Sequence, residues 1–270
     1  MAYKTILAIV QNENEAEGLI DGSITLAKSF GAHLIGFHSE PVPAAYTSAV
    51  GFPDAEFIRA STEMSAARTK SISELFKKKT GAAKVSAEWG NPERSAPTDL
   101  SLAHSVDLIV VAQPTESADD DGAGVDNLLH ESGRPVLVLP LDKPCPAKFQ
   151  RVIVGWNGSK QSARAVFDSL PLLIGAESVE LLVVDRSKGE EGLGKTLADT
   201  LKRHGVAVDL AEEKTDNLSV EEILANRAAN ANADLIVLGA YGHSWLREFL
   251  FGGVTRQILK NSPVATLMAH

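Results

Sequence analysis

The most informative stretch of the sequence is DLIVLGAYGHSWLREFLFGGVTRQIL, residues 234–259. Its first six residues form a short apolar run typical of a buried strand, and Val254–Lys260 at its end has the pattern of a helix. Gly239 ends the apolar run, and Gly242, Gly252 and Gly253 follow before the helix, so the four glycines have the spacing G-x2-G-x9-G-G. Such a connection can bind an anion, because glycine lets backbone amides approach closely and the first amides of a helix lack internal partners. The alternative is that the glycines only make a tight connection.

The composition is that of an ordinary globular protein of one large or two small domains, with 270 residues, 44% hydrophobic and 23% charged. The net charge is -9 and no basic face stands out, so a nucleic-acid partner is not expected. The sequence has no long apolar run, and Met1–Lys4 does not begin a signal peptide, so no membrane span is expected. With Cys145 as its one cysteine the chain cannot form an internal disulfide, and these features together predict a cytoplasmic location.

Short apolar runs alternate with helical patterns, and the whole series occurs twice. Ser105–Val111 (SVDLIVV) resembles Asn232–Leu238 (NADLIVL), and Arg134–Pro140 (RPVLVLP) resembles Ser262–Met268 (SPVATLM). We therefore divide the chain into repeat one (residues 1–140), a proline-containing linker (141–148) and repeat two (149–270). Strands that alternate with helices predict a parallel sheet covered by helices on both faces.

Each repeat is predicted to contain five strands. In repeat one they are Thr5–Val10, His33–Phe37, Lys84–Glu88, Asp107–Ala112 and Val136–Leu139. In repeat two they are Arg151–Gly155, Val179–Asp185, Val206–Leu210, Asp234–Gly239 and Val264–Met268. Ligands of such sheets bind beyond the carboxyl ends of the strands, where the winding direction reverses. In repeat two this rule brings the turn after the first strand, Trp156–Ser159, toward the Gly239–Gly253 connection.

Three segments of repeat two together resemble the universal stress protein family. They are VIVGWNGSKQSARAV (152–166), GAYGHSWLREFLFGGVTRQIL (239–259) and NSPVATLMA (261–269), which are similar to the first-strand signature and the G-x2-G-x9-G-[S/T] nucleotide motif of that family. The resemblance covers the chain as a tandem pair and is weaker in repeat one. It implies two flavodoxin-like (Rossmann-like) α/β domains, each a five-stranded parallel sheet of order 3-2-1-4-5. It also implies that the repeats form a pseudo-dimer through their last strands.

The function that this resemblance implies is a stress-response protein that binds ATP or a related nucleotide, with or without Mg²⁺, and has little or no catalytic turnover. By position, the glycines would surround the phosphates, Thr255 would hydrogen-bond them, and Val184 would face the adenine through its backbone. The implied contact residues are Asn157, Gly158, Val184, Gly239, Gly242, Gly252, Gly253, Val254 and Thr255. No catalytic or metal-binding residue is expected.

Two of these positions depart from the family pattern. Gly253 stands where nucleotide-binding members carry Ser or Thr, which removes a hydroxyl and keeps the backbone amide. Asn157 stands where an Asp commonly contacts the nucleoside. Repeat one departs much further, because its fourth strand is followed by an acidic segment that includes Asp119–Asp121, and Asp126 occupies the position of Thr255. Because carboxylates repel phosphate, repeat one is expected to bind no nucleotide.

A second nucleotide motif must be weighed, because Gly189–Thr196 (GEEGLGKT) matches the P-loop pattern G-x4-G-K-[ST]. Three residues separate it from the preceding strand, and Glu190 and Glu191 place negative charge where a phosphate would sit. We interpret it as a solvated loop before a helix. An ATPase that uses Lys195 is the alternative.

The apolar segment Trp245–Phe251 has two interpretations. It is either a lid that packs on its own domain or a surface for a protein partner. The second interpretation suits a nucleotide-free scaffold of the same fold, and a homodimer is possible for either. We interpret Cys145 as a linker residue rather than a reactive thiol, and the histidines show no metal-ligand spacing.

Overall fold

The structure, a computed structural model, describes residues 2–39, 55–90, 99–114, 123–184, 192–214, 218–240, 258–259 and 262–270. The strands in these residues are β1 Thr5–Val10, β2 His33–His38, β3 Ala87–Trp89, β4 Leu108–Ala112, β5 Val136–Leu139, β6 Arg151–Gly155, β7 Ser178–Val184, β8 Val208–Glu213, β9 Leu235–Gly239 and β10 Ala265–Ala269. The helices are α1 Glu13–Phe30, α2 Ala55–Ala83, α3 Asp99–Ala103, α4 Ala123–Glu131, α5 Lys160–Asp168, α6 Leu170–Leu173, α7 Leu193–Arg203 and α8 Val220–Ala231.

All ten strands belong to one sheet with the order β3-β2-β1-β4-β5-β10-β9-β6-β7-β8. The first five strands therefore have the order 3-2-1-4-5, and the last five have the same order when counted from β6. Neighbouring strands are parallel within each half. The predicted fold class, a flavodoxin-like α/β protein, is confirmed, and its two five-stranded halves are joined in one sheet.

The two halves meet where β5 and β10 pair antiparallel, with Leu137 opposite Leu267. The last strands of the repeats thus lie side by side, as the resemblance implied. Side chains also make contacts across this seam. Among them, the Tyr3 hydroxyl donates to the Asp168 carbonyl at 2.6 Å, and Arg164 Nη2 donates to the Gly133 carbonyl at 2.7 Å. Because the central pair is antiparallel, the carboxyl ends of the parallel strands point in opposite directions in the two halves.

The repeated sequence motif makes the same hydrogen bonds in both halves. Asp107, in SVDLIVV, accepts from the amides of Lys4 and Thr5 at 2.7 and 2.9 Å. Asp234, in NADLIVL, accepts from the amides of Gln150 and Arg151 at 2.7 and 3.0 Å. In each half the aspartate before the fourth strand thereby fixes the start of the neighbouring first strand.

The core has two layers, one on each face of the sheet. In β1, Ile6, Ala8 and Val10 pack in one layer, and Leu7 and Ile9 pack in the other. Every residue of β4 and β5 is buried. Helices on both faces explain why these strands are continuous apolar runs in the sequence and do not alternate with polar residues.

Helix ends follow local sequence signals. Gly31 ends α1 in the left-handed conformation, with φ of 59°, as expected from its position. Ser219 and Glu222 form a reciprocal capping box at the start of α8, and Asn232 ends that helix with φ of 48°. These signals fix element boundaries before any tertiary contact is considered.

Two strand predictions were displaced by a few residues. Lys84–Glu88 was predicted as a strand, but α2 continues to Ala83, Lys84 turns with φ of 54°, and β3 begins at Ala87. Val206–Leu210 was also predicted too early, because Gly205 turns with φ of 81° and pairing with β7 begins at Val208. Apolar composition alone does not show where a helix stops and a ladder starts.

The predicted linker lies against α1. Gly18 and Gly22, one turn apart on α1, leave room for it, since a Cβ at these positions would lie 3.3 Å from Leu141 Cδ2 and 3.2 Å from Cys145 Cβ. Burial raises the pKa of the Cys145 thiol to about 12, so thiolate is scarce near neutral pH. This supports the interpretation of Cys145 as a structural residue. Among the helices that the structure describes, none combines the length and apolarity that crossing a bilayer requires.

Candidate functional site

The winding direction of the second half reverses at β6, which has β7 on one side and β9 on the other. Val154 is opposite Leu181 of β7 and opposite Val237 of β9. The carboxyl ends of these three strands are therefore neighbours at one edge of the sheet. This is the crevice where ligands of doubly wound sheets bind, and the residues predicted from sequence follow these strands.

The turn after β6 is fixed by its own hydrogen bonds. Asn157 Oδ1 accepts from the Ser159 amide at 3.1 Å, and Gly158 between them has φ of 72°. Ser159 then caps α5 by accepting from the Ser162 amide at 3.1 Å, and the two serine hydroxyls lie 3.2 Å apart. An aspartate at 157 would accept the same bond, so the departure from the family pattern keeps the shape of the turn.

Gly239 brings the other side of the crevice against α5. A Cβ on this residue would lie 2.5 Å from the carbonyl carbon of Gln161 and 2.8 Å from Ser162 Cα. Such separations exclude any side chain unless α5 moves. Gly239 is therefore required for packing, whether or not it also contacts a phosphate, and the start of α5 is held beside the end of β9.

Val184 ends β7 beyond the point where its neighbour β6 stops. The carbonyl of Leu182 accepts from the Trp156 amide at 2.9 Å, just after the last residue of β6, Gly155. Residues two apart in a strand direct their backbone groups to the same side. Val184 therefore directs its amide and carbonyl toward the crevice, which is the orientation that a backbone contact with a ligand requires.

The sequence placed Trp156 in the turn after the first strand but did not predict that its indole is buried. Its side chain is only 8% exposed, and its indole Nε1 is buried without a hydrogen-bond partner in the part of the chain described. It packs in the same core layer as Val166 and Leu197, the α5 and α7 side of the sheet. The signal was present in the alternation of β6, where Val152, Val154 and Trp156 share one face.

The charge at the helix N-termini differs between the two halves. The first turn of α5 contains no acidic residue. The first turn of α1, its counterpart in repeat one, contains Glu13 and Glu15, and the first turn of α4 contains Asp126. Since a helix N-terminus attracts anions and neighbouring carboxylates oppose them, the crevice of repeat two is better suited to an anion.

The remaining predicted contacts lie outside the described residues. They are Gly242, Gly252, Gly253, Val254 and Thr255, and the Trp245–Phe251 segment and the acidic residues 119–121 lie outside as well. Ile258 and Leu259 are buried and helical, which agrees with the end of the predicted Val254–Lys260 helix. Of the predicted set, the structure thus places Asn157, Gly158, Val184 and Gly239 at one edge of the sheet.

The described part of the P-loop pattern is the start of α7. Gly192 is the N-cap of this helix, and the Thr196 hydroxyl donates back to the Gly192 carbonyl at 3.2 Å. That bond is the ordinary contact of a helical threonine with the carbonyl four residues before it. No group of three or more potential metal-ligand side chains occurs in the described ranges.

The reversal point of the second half is formed by a capped turn, the end of β7 and a tightly packed glycine. A doubly wound parallel sheet with this arrangement defines a flavodoxin-like α/β protein. Residues 148–270 match the family model described as the universal stress protein family. The match shows a universal stress protein domain in this half of the chain.

Individual relatives agree with this assignment. A universal stress protein of Synechocystis is 26% identical over 182 residues, which are 62% of this chain and 58% of that protein. The chain therefore aligns with less than two thirds of this relative. A universal stress protein from Archaeoglobus fulgidus has a similar structure, with a TM-score of 0.67, 15% identity and coverage of 97% of this chain and 95% of that one. A universal stress protein described as putative, from Pseudomonas aeruginosa, has a TM-score of 0.54, 12% identity and coverage of 99% and 93%. At these identities the two structures support the fold.

Proposed function

We propose that this chain is a stress-response protein that binds ATP or a related adenine nucleotide in repeat two, with little or no catalytic turnover. The observation that carries the proposal is the convergence of the Val184 backbone, the α5 N-terminus and Gly239 at one reversal point without an acidic side chain in the first turn of α5. The family match covers the same half of the chain.

The chemistry of these groups suits a nucleoside phosphate. A backbone amide and carbonyl side by side, as in Val184, can pair with the donor and acceptor edge of an adenine. The Asn157 side chain can hydrogen-bond a ribose hydroxyl while its Oδ1 keeps the turn in shape. Phosphates would be bound by amides of the glycine-rich connection and by Thr255, as predicted from the sequence.

Little turnover is expected because the proposed contact residues are asparagine, glycine, valine and threonine. None of these side chains can act as a general base near neutral pH. The bound nucleotide would therefore act as a regulatory ligand of the fold and would be released largely unchanged.

The test is to denature freshly purified protein and identify the released small molecules by mass spectrometry. About one adenine nucleotide per chain is expected. Calorimetry with ATP and Mg²⁺ should then show that Thr255→Asp lowers the affinity by more than about tenfold, because a carboxylate replaces a hydroxyl beside phosphate. Asp126→Thr, the reciprocal change in repeat one, is the matched control and should leave the affinity unchanged. Absence of both copurified nucleotide and measurable binding would overturn the proposal and favour the partner-binding scaffold.

The P-loop alternative is tested by Lys195→Ala. Lys195 is exposed on the first turn of α7, and we expect the substitution to change nucleotide affinity by less than about twofold, as for other exposed residues. ATP hydrolysis should also stay at the background rate in both proteins. Magnesium-dependent hydrolysis that disappears in Lys195→Ala would show instead that the chain is an ATPase using this segment.

A further inference from the structure

Two histidines from opposite halves of the chain touch at the seam. His130 lies at the end of α4, and His270 follows β10. Their rings are 4.7 Å apart between centroids, with an interplanar angle of 65°. Because β10 runs antiparallel to β5, the end of β10 is brought beside the end of α4 in the other half. This edge-to-face contact is therefore a direct link between the repeats.

His270 also holds the residue that follows β9. Its Nδ1 lies 3.0 Å from the Ala240 carbonyl, and the Ala240 amide donates to the Ala269 carbonyl at 2.8 Å. A carbonyl oxygen can only accept, so Nδ1 carries the proton in this bond. Both backbone groups of Ala240 are thus bound to the end of repeat two's last strand. Ala240 comes directly after Gly239, where the chain leaves the sheet at the candidate site.

We propose that the His130–His270 pair is a pH-sensitive latch that fixes Ala240, and through it the end of β9, when both rings are uncharged. Protonation of both rings places two positive charges at the contact and separates them. A charged imidazole donates a stronger hydrogen bond to a carbonyl, so the repulsion between the rings must exceed that gain. His270 is then drawn away from Ala240, and the strand end at the candidate site loosens. The latch itself depends only on the seam geometry. Its effect on nucleotide affinity rests on the function proposed above.

The charged groups around the pair set the direction of the effect. Burial lowers the pKa of His130 below its ordinary value, and the neighbouring His270 lowers it further, while Asp126 and Glu131 on α4 act in the opposite direction. A histidine whose pKa is lowered by folding stabilises the native state when uncharged, and that contribution diminishes as the pH falls through the unfolded value of about 6.5. The latch is therefore closed above neutrality and opens as the medium becomes acidic.

The first experiment needs no nucleotide. Hydrogen exchange of the Ala240 amide, corrected for the intrinsic rate, is measured between about pH 7.5 and 5.5, the range in which histidine changes charge. In the wild-type protein its protection should fall by about tenfold or more toward acid. In His130→Phe, which keeps an aromatic ring but cannot become charged, the protection should stay constant. His204→Gln is the control, because His204 is an exposed histidine at the end of α7, and it should behave like the wild type.

A titration of the ring protons by NMR supplies an independent test in the same proteins. In His270→Phe the pKa of His130 should rise, since one like-charged neighbour is removed. A wild-type Ala240 amide whose protection does not change with pH, or one that changes equally in His130→Phe, would overturn the latch. An unchanged pKa of His130 in His270→Phe would show that the rings do not sense each other and would overturn it as well.

Nucleotide affinity measured as a function of pH separates a failure of the latch from a failure of the proposed function. If nucleotide binds, its affinity should decrease more steeply with falling pH in the wild type than in His130→Phe. Protonation of the nucleotide affects both proteins equally, so it cancels when the two are compared. No binding at any pH would overturn the proposed function and leave the exchange experiment as the test of the latch. Binding with the same pH dependence in both proteins would overturn the regulatory effect of the latch and leave the function intact.

Discussion

Replacement of Gly239 by alanine is expected to lower the free energy of unfolding by about 3 kcal/mol, because the added methyl would overlap the backbone of α5. The atoms it would meet belong to Gln161 and Ser162, in the first turn of the helix. A flexible side chain could move away, but a helix backbone cannot shift without moving the Asn157–Ser159 turn. The substitution should therefore weaken nucleotide binding too, although Gly239 need not touch the ligand through a side chain.

The measurement is equilibrium unfolding in urea, compared with Gly81→Ala. Gly81 lies inside α2, a Cβ there meets nothing within 4 Å, and its φ is not positive. Alanine at 81 should therefore stabilise the protein by about 0.5–1 kcal/mol. Equal effects of the two substitutions would contradict the close packing of α5 on β9.

Truncation of Tyr3 to alanine is expected to lower the free energy of unfolding by about 4 kcal/mol, the usual loss for a large buried aromatic side chain. Tyr3 is 4% exposed, packs edge-to-face on Phe30 with centroids 5.1 Å apart, and donates its hydroxyl proton to Asp168 of the other half. The loss should be accompanied by reduced cooperativity between the halves. Unfolding is followed by fluorescence in proteins that keep either Trp89 or Trp156 as the single tryptophan. The two probes should report separated transitions with Tyr3→Ala and one common transition with Tyr3 in place.

Tyr3→Phe separates the contribution of the hydroxyl hydrogen bond to stability from that of the packed ring. It should cost about 1–2 kcal/mol, since the Asp168 carbonyl loses a buried donor. A single transition with unchanged midpoint in Tyr3→Ala would show that Tyr3 does not hold the two halves together. The phenylalanine variant also serves as the control for the stability of the protein at alkaline pH.

Tyr3 should also make stability fall at high pH. Burial raises the pKa of its phenol, and Asp168 and Asp107 raise it further. The folded state therefore retains the proton when the unfolded chain has already lost it, so the stabilisation is complete below about pH 10 and decreases as the pH rises above that value. Urea midpoints measured up to alkaline pH should decline less steeply in Tyr3→Phe, and identical slopes would contradict the burial of the phenol.

Much of the fold could be read from the sequence because its signals are local. The duplicated SVDLIVV and NADLIVL motifs indicated two copies, and the structure gives the shared aspartates the same hydrogen bonds. The strand predicted at Lys84–Glu88 was misplaced, because the residue types around Lys84 do not show that α2 continues to Ala83.

Some parts of the candidate site could be predicted from the sequence and others could not, because only some of them depend on neighbouring residues. The Asn157–Gly158–Ser159 turn was identified from residue types, because an Asx turn and a serine cap depend on neighbours in the chain. The reason that Gly239 must be glycine was not visible, because the atoms that fill the space of its Cβ belong to residues far away in sequence. The buried indole of Trp156 was missed for the same reason.

The sequence by itself determined the order of strands and helices, the duplication and the position of the reversal point, since hydrophobic periodicity, caps and right-handed crossovers leave few alternatives. Only the tertiary structure decided which residues meet across the seam: Tyr3 with Asp168, and His130 with His270. These contacts join residues that are more than a hundred positions apart, and their spacing depends on the register between β5 and β10. No local pattern encodes that register, because it is set by the packing of two complete halves against each other.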